Sequence, residues 1–162
     1  LTRDQFKELF DLNFKAVRNY IYYRCGDADL AADLAQDTFL KIWEKLPESG
    51  NRNMRGLLFK IAGDEFISHV RKQKSLTRFR LQFNPGFMDI SPEEQVVFEE
   101  MKEQYELALA RMPEKQRSVF LMSRLDRMKY HEIADRLDLT VKAVEKRMTL
   151  ALSFLKDEMK LK

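Results

Sequence analysis

Tyr130-His131-Glu132-Ile133-Ala134-Asp135-Arg136-Leu137, then Asp138-Leu139-Thr140, then Val141-Lys142-Ala143-Val144-Glu145-Lys146-Arg147-Met148-Thr149 is the stretch on which the fold turns. Its apolar residues recur every three or four positions, so two helices fit, Tyr130–Leu137 and Val141–Met159. Ile133 and Leu137 face inward, and Ala134 falls where the two helices approach closely and a small side chain is needed. Thr140 is placed to cap the second helix through its hydroxyl. Val141, Val144 and Met148 pack inward, which leaves Lys142, Glu145, Lys146 and Thr149 outside. Arg147 and Lys129 are placed to take phosphates. This is the pattern of a helix-turn-helix, whose second helix enters a major groove. An ordinary helical hairpin with a charged outer face has the same spacing.

Working outward, the rest of the chain is helical too. Ser91-Pro92-Glu93-Glu94 is a helix start, with Ser as cap, Pro at the first turn and Glu at the third position. Val97, Phe98, Met101, Tyr105, Ala108 and Met112 carry that helix, and Pro113 closes it and opens the next. At the other end, Thr2 and Gln5 form a capping box, and Val17 and Ile21 follow Phe6, Leu9 and Phe10 at helical spacing. Asp27 caps a second helix lined by Ala31, Leu34, Ala35, Thr38, Ile42 and Leu46. A third helix runs from about Met54 to Gln73, with Leu57, Leu58, Ile61, Ala62, Phe66 and Val70 as its stripe. No strand pattern and no repeat occurs. Residues 75–90 lose the helical period, contain Pro85 and Gly86, and carry Phe79, Phe83 and Phe87. The expected architecture is all-α, with two small helical domains at 1–74 and 91–162 joined by a linker at 75–90.

Composition agrees with that architecture. The 162 residues include only 5 Gly and 4 Pro, and 34% are charged, against about 25% in ordinary globular domains. The one cysteine, Cys25, excludes an intrachain disulfide framework and a cysteine-based zinc site. No apolar run suits a membrane span or a secretory signal, so a cytoplasmic protein is expected. The chain opens on Leu1-Thr2-Arg3 without an initiator Met, which implies a short piece ahead of it. His69 and His131 lie far apart, and no carboxylate near them has acid–base or metal spacing. Neither catalytic residues nor a metal nor a cofactor is expected. The net charge of +3 is an average: residues 1–50 carry −2, residues 51–83 carry +6, residues 84–110 carry −6 and residues 111–162 carry +5. Two basic blocks around an acidic one suit two contacts with a polyanion, or two solvated helix faces.

The second signal is Ala32-Asp33-Leu34-Ala35-Gln36-Asp37-Thr38-Phe39-Leu40-Lys41-Ile42-Trp43. Asp33, Gln36, Asp37, Leu40 and Trp43 fall off the main apolar stripe, as an aromatic and aliphatic anchor beside polar groups does in a partner-binding face. A lone Trp that rounds out the core is the plainer reading. With these residues, with Leu109-Ala110-Arg111-Met112-Pro113-Glu114-Lys115-Gln116-Arg117-Ser118-Val119-Phe120-Leu121, and with the helix-turn-helix after them, the chain resembles an extracytoplasmic-function (ECF) sigma factor. These are the smallest class of the bacterial sigma-70-type family, and the resemblance covers nearly the whole chain.

The resemblance implies a transcription-initiation factor. Residues 1–74 would be sigma region two, with Asp33, Gln36, Asp37, Leu40 and Trp43 docking on the clamp helices of the RNA polymerase β′ subunit. The loop and third helix would read and help to open the minus-ten element, through Asn51, Arg52, Asn53, Arg55, Lys60, Asp64, Arg71 and Lys72. Opening needs cations for the phosphates and a pocket for an extruded base. Residues from 91 onward would be region four, which meets the β flap and reads the minus-thirty-five element through Lys142, Glu145, Lys146, Arg147 and Thr149. Lys142 or Lys146 can donate to guanine, Glu145 can accept from a cytosine amino group, and Thr149 can meet a thymine methyl. The two regions would clamp together, or onto an anti-sigma factor, when inactive. The chain departs from the family at Ala62-Gly63-Asp64, where Ala-Arg-Asn is usual, and at Glu65; Asp64 stands where an Asn commonly meets a base, so a different promoter preference is expected. A repressor that binds operators without polymerase, or a module that sequesters a sigma inhibitor, would carry some of the same features.

Overall fold

The Thr2 hydroxyl accepts from the Gln5 backbone N–H while the Gln5 side chain accepts from the Thr2 backbone N–H. Two of the orphan donors at the helix start are satisfied reciprocally, and helix α1 runs Arg3–Cys25. It stops at Gly26, which takes a left-handed conformation at φ 72°, an angle that suits a residue without Cβ. Asp27 then accepts from the Leu30 backbone N–H at 3.0 Å and starts α2, Ala28–Lys45. The computed structural model describes residues 1–45, 53–72 and 92–160, the side chains of 71, 72, 92–95, 97 and 98 excepted.

Within these residues α3 spans Met54–Lys72, α4 Pro92–Arg111, α5 Glu114–Arg124, α6 Tyr130–Leu137 and α7 Val141–Glu158. The expected all-α class holds among them. Thr140 caps α7 by accepting from the Ala143 backbone N–H at 3.1 Å. The Glu132 carboxylate does the same for α6 by accepting from the Lys129 backbone N–H at 3.0 Å. Ser91, the loop residues 46–52 and the linker at 75–90 with its three phenylalanines lie outside the described residues.

Helices α1, α2 and α3 pack on one another, and α5 with α6 and α7 forms a second group that α4 joins through α7. The first group is centred on Phe39, which is buried and meets Phe10 edge-on with ring centroids 5.0 Å apart, with Phe6 and Phe14 beyond it. Each such pair adds about 0.5–1.5 kcal/mol beyond its burial. In the second group Ile133, Ala134, Val144 and Met148 are buried as the spacing predicts. Three stripe positions depart from expectation. Val70, Met101 and Val141 are exposed; Val70 and Val141 lie in the end turns of their helices, and Met101, midway along α4, borders an open cavity.

The two groups also pack against each other. Helix α1 lies on α5, and α3 lies on α6. One buried cluster runs from Val17 and Ile21 through Leu58 and Phe59 to Leu121, Ile133 and Leu155. The halves anticipated as two domains thus share a core here.

Candidate nucleic-acid and partner interfaces

Helix α2 presents two unlike faces. Leu34, Ala35, Thr38, Phe39 and Ile42 are buried, and the Thr38 hydroxyl donates to the Leu34 carbonyl at 2.7 Å. Asp33, Gln36, Asp37, Leu40 and Trp43 are all exposed, as their three- and four-residue spacing requires. Leu40 is 55% exposed and Trp43 44%. Trp43 serves both readings of it: one edge meets the Phe6 ring at 4.9 Å, while the rest of the indole faces solvent. The structure therefore gathers all five predicted partner-binding residues on one stripe about 15 Å long at 1.5 Å per residue.

Asn53 immediately precedes α3, and its side-chain oxygen accepts from the Gly56 backbone N–H at 3.0 Å. This predicted base-contacting residue is thus engaged as a helix cap. Arg55, Lys60 and Asp64 are exposed. Lys60 precedes Asp64 by one turn on the same face, a spacing at which opposite charges attract. Glu65 turns the other way and pairs with Lys41 of α2, so its negative charge ties two helices together. Asn51 and Arg52, and the side chains of Arg71 and Lys72, lie outside the described residues.

On α7, Lys142, Glu145, Lys146 and Thr149 are exposed on the outer face. The Thr149 hydroxyl donates to the Glu145 carbonyl at 2.9 Å, so its methyl and its oxygen lone pairs are what it has to offer a ligand. Arg147 is half-buried instead and lies close enough to Tyr20 of α1 to act on it electrostatically. Among the predicted α7 residues it is the one turned toward the first group of helices.

The residues that sequence reasoning missed join the two groups. Arg24, 6% exposed, donates to both oxygens of Glu114, at 2.6 and 2.8 Å. It also donates to the Tyr20 hydroxyl at 3.1 Å and stacks over Phe66 at 4.5 Å. Burial alone would lower its pKa, but the bonds to Glu114 and the pull of Tyr20 outweigh that and raise it. Gly63 makes room for it, since a Cβ there would stand 3.2 Å from the Arg24 Nη1. Arg117, 7% exposed, donates to the carbonyls of Tyr23 at 2.7 Å and of Arg24. The same guanidinium donates to the carbonyls of Leu109 and Met112 at 3.0 and 3.1 Å. It caps the C-terminal ends of α1 and α4 at once, where unpaired carbonyls and the negative end of the helix dipole favour a cation. The Tyr23 hydroxyl donates to Asp126 at 2.7 Å, and Arg136 of α6 lies over Phe59 of α3 at 5.2 Å. No sequence pattern marks these residues, because a charged side chain on a helix is by default exposed.

Beside this junction lies a largely apolar cavity of about 870 Å³, lined by Tyr22, Ala32, Met101, Tyr105 and Leu125 with Arg18 and Lys102. It draws on α1, α2, α4 and the end of α5. Among the described residues no cluster of His, Cys, Asp and Glu could hold a metal ion. No helix there is long and apolar enough to cross a membrane.

Residues 9–76 match Sigma-70 region 2, and residues 102–155 match Sigma-70, region 4. The chain belongs to the sigma-70 family. The first match takes in α2 and α3, and the second takes in α5, α6 and most of α7. Within the family, the chain is 26% identical over 161 residues to the RNA polymerase sigma factor YlaC of Bacillus subtilis, covering 97% of this chain and 93% of that one. It is 27% identical over 158 residues to the ECF RNA polymerase sigma factor RpoE of Cereibacter sphaeroides, covering 95% and 86%. These similarities place it in the ECF class of the sigma-70 family. The fold is shared with the sigma factor RpoE of Bartonella quintana, solved in complex with the anti-sigma factor NepR, at a TM-score of 0.63 and 22% identity. That likeness covers 97% of this chain and 98% of the other.

Proposed function

We propose that this chain is a cytoplasmic transcription-initiation factor, without catalytic chemistry of its own, that recruits core RNA polymerase to promoters and helps to open them. The observation that carries the reading is the exposure of two separate recognition faces, each within a stretch matched to the corresponding sigma region. The α2 stripe from Asp33 to Trp43 docks on the β′ clamp helices. Arg55, Lys60 and Asp64 meet the minus-ten element together with Asn51, Arg52, Asn53, Arg71 and Lys72. Lys142, Glu145, Lys146 and Thr149 read the minus-thirty-five element, Arg147 takes a phosphate, and region four meets the β flap. The domain limits are 1–74 and 91–162, with 75–90 as the linker.

An anti-sigma factor controls the protein. The apolar cavity at the junction of the two groups supports this, because an occupant there touches both groups and favours their packed arrangement.

The deciding experiment is run-off transcription with core RNA polymerase on a promoter library. Transcripts that start at a common motif only when the chain is added are the expected result. Specific DNA binding by the chain alone, with no core-dependent transcript, would instead make it an operator-binding regulator.

A further inference from the structure

We infer that Lys60 and Asp64 of α3 together read one unpaired guanine of the minus-ten element through its Watson–Crick edge. The inference rests on the proposed reading of α3 as a helix that meets that element, and it names the base selected there.

Helix α3 has two faces. Leu58, Phe59, Ala62 and Phe66 are buried. Lys60, Asp64 and Ser68 form an exposed line at four-residue spacing. The helix holds two carboxylates, Asp64 and Glu65, and Glu65 is taken by Lys41 of α2. Among the described residues no side-chain hydrogen bond or ion pair engages Lys60 or Asp64. Their Cβ atoms, one turn apart, are about 5–6 Å from each other, and a cation on the N-terminal side of an acid is the weaker order for an ion pair. Both charged heads are therefore available to a ligand between them. Ile67, in the turn after Asp64, is 38% exposed and offers an apolar side chain to the face of an unstacked base.

Charge and hydrogen-bond type then choose the ligand. A phosphate suits Lys60 but is repelled by Asp64 one turn away. A base edge carries no net charge and presents donors and acceptors instead. A carboxylate only accepts, and an ammonium only donates. Guanine alone among the four bases has two adjacent donors on its Watson–Crick edge, N1–H and the N2 amino group, with the O6 acceptor beside them. The two Asp64 oxygens accept from these donors as a bidentate pair, and the Lys60 ammonium donates to O6. Adenine and cytosine set an acceptor against one carboxylate oxygen, and so does thymine. The pair thus presents to guanine the order of one donor and two acceptors that cytosine presents in the duplex. That edge is free only when the strands have parted, so the contact stabilises the opened strand over the paired one.

The test is transcription by core RNA polymerase with the full chain, on promoters whose minus-ten region is a mismatched bubble with each non-template position varied. The parent should favour guanine at one position. There, inosine, which lacks the N2 amino group, should lower transcription about tenfold, as loss of one hydrogen bond to a charged group does. The analogue 7-deazaguanine, altered away from the Watson–Crick edge, should match guanine. An amide offers one donor beside one acceptor, an order that every base edge can meet, so Asp64→Asn should flatten the preference at this position alone. Lys60→Met should narrow the margin of guanine, and having two variants at exposed positions covers the failure of either to fold. Guanine favoured equally by the parent and both variants, inosine used as well as guanine, or a fall on every sequence alike would overturn the reading of guanine. Core-dependent transcripts in those cases would leave the sigma-factor role standing, whereas no core-dependent transcript from any promoter would overturn both.

Discussion

Arg117 of α5 donates a hydrogen bond to the backbone carbonyl of Arg24, the penultimate residue of α1. One buried guanidinium thereby finishes a helix of the first group while it finishes α4 of the second. Burial draws its pKa below the ordinary arginine value, with the Glu114 carboxylate acting against that.

Replacing Arg117 with Leu removes the donor and leaves buried carbonyls at two helix ends. Each unsatisfied buried group costs about 1–3 kcal/mol, so Arg117→Leu should lose at least about 2 kcal/mol in urea unfolding. A midpoint equivalent to within about 0.5 kcal/mol of the parent, the range of surface substitutions, would mean that the carbonyls find other partners.

The α2 stripe should behave as a binding face with one foot in the core. Gln36→Ala touches no neighbour in the core and should leave stability unchanged. Trp43→Ala loses its edge contact with Phe6 and should cost about 1 kcal/mol. Together they should weaken competition for core polymerase at least tenfold. Undiminished competition by the folded double variant would remove this face from the interface.

On α7 the commitment of the Thr149 hydroxyl to its own backbone gives a sharp test. Thr149→Ser keeps that bond and removes only the methyl, so preference for thymine should fall at one minus-thirty-five position. Glu145→Ala should relax a different position by about 1–3 kcal/mol. Binding-site selection with the two variants checks both, and an equal fall on every sequence would make these residues general contacts rather than readers.

Asp126 supplies a pH dependence. Burial raises its pKa above the ordinary 3.8, with the hydrogen bonds from Tyr23 and Asn19 opposing. The folded state therefore holds this proton more tightly than the unfolded chain does. The stabilising contribution is complete below the unfolded value and is lost as pH rises through the raised folded value. Asp126→Asn lacks that component, so its melting temperature should gain on the parent's as pH increases from about 3 to about 7. A constant gap across the series would refute the raised value.

Helix positions were legible because caps and periods are local. Thr2, Asp27 and Thr140 announce their helices within four residues, and Ala134 marks a close crossing by its size and place alone. The exposed recognition faces were legible for the same reason, since three- and four-residue spacing decides which side chains share a side. Contacts across the chain were not. Arg24 and Glu114 stand 90 positions apart, and nothing near either says that the pair is buried. Lys41, the partner of Glu65, stands 24 positions before it and is equally silent in the sequence. The cap that Asn53 supplies depends on where α3 begins, which no nearby residue announces.

The space at Gly63 limits how this protein can be re-engineered. A chimaera that borrows the third helix of another sigma factor brings its own residue to that position, commonly an arginine in the family. Any side chain there starts 3.2 Å from the Arg24 guanidinium. A graft chosen only to change promoter choice would therefore also disturb how the unbound molecule is held, and the neighbouring residues of α1 and α5 would have to be transplanted with it.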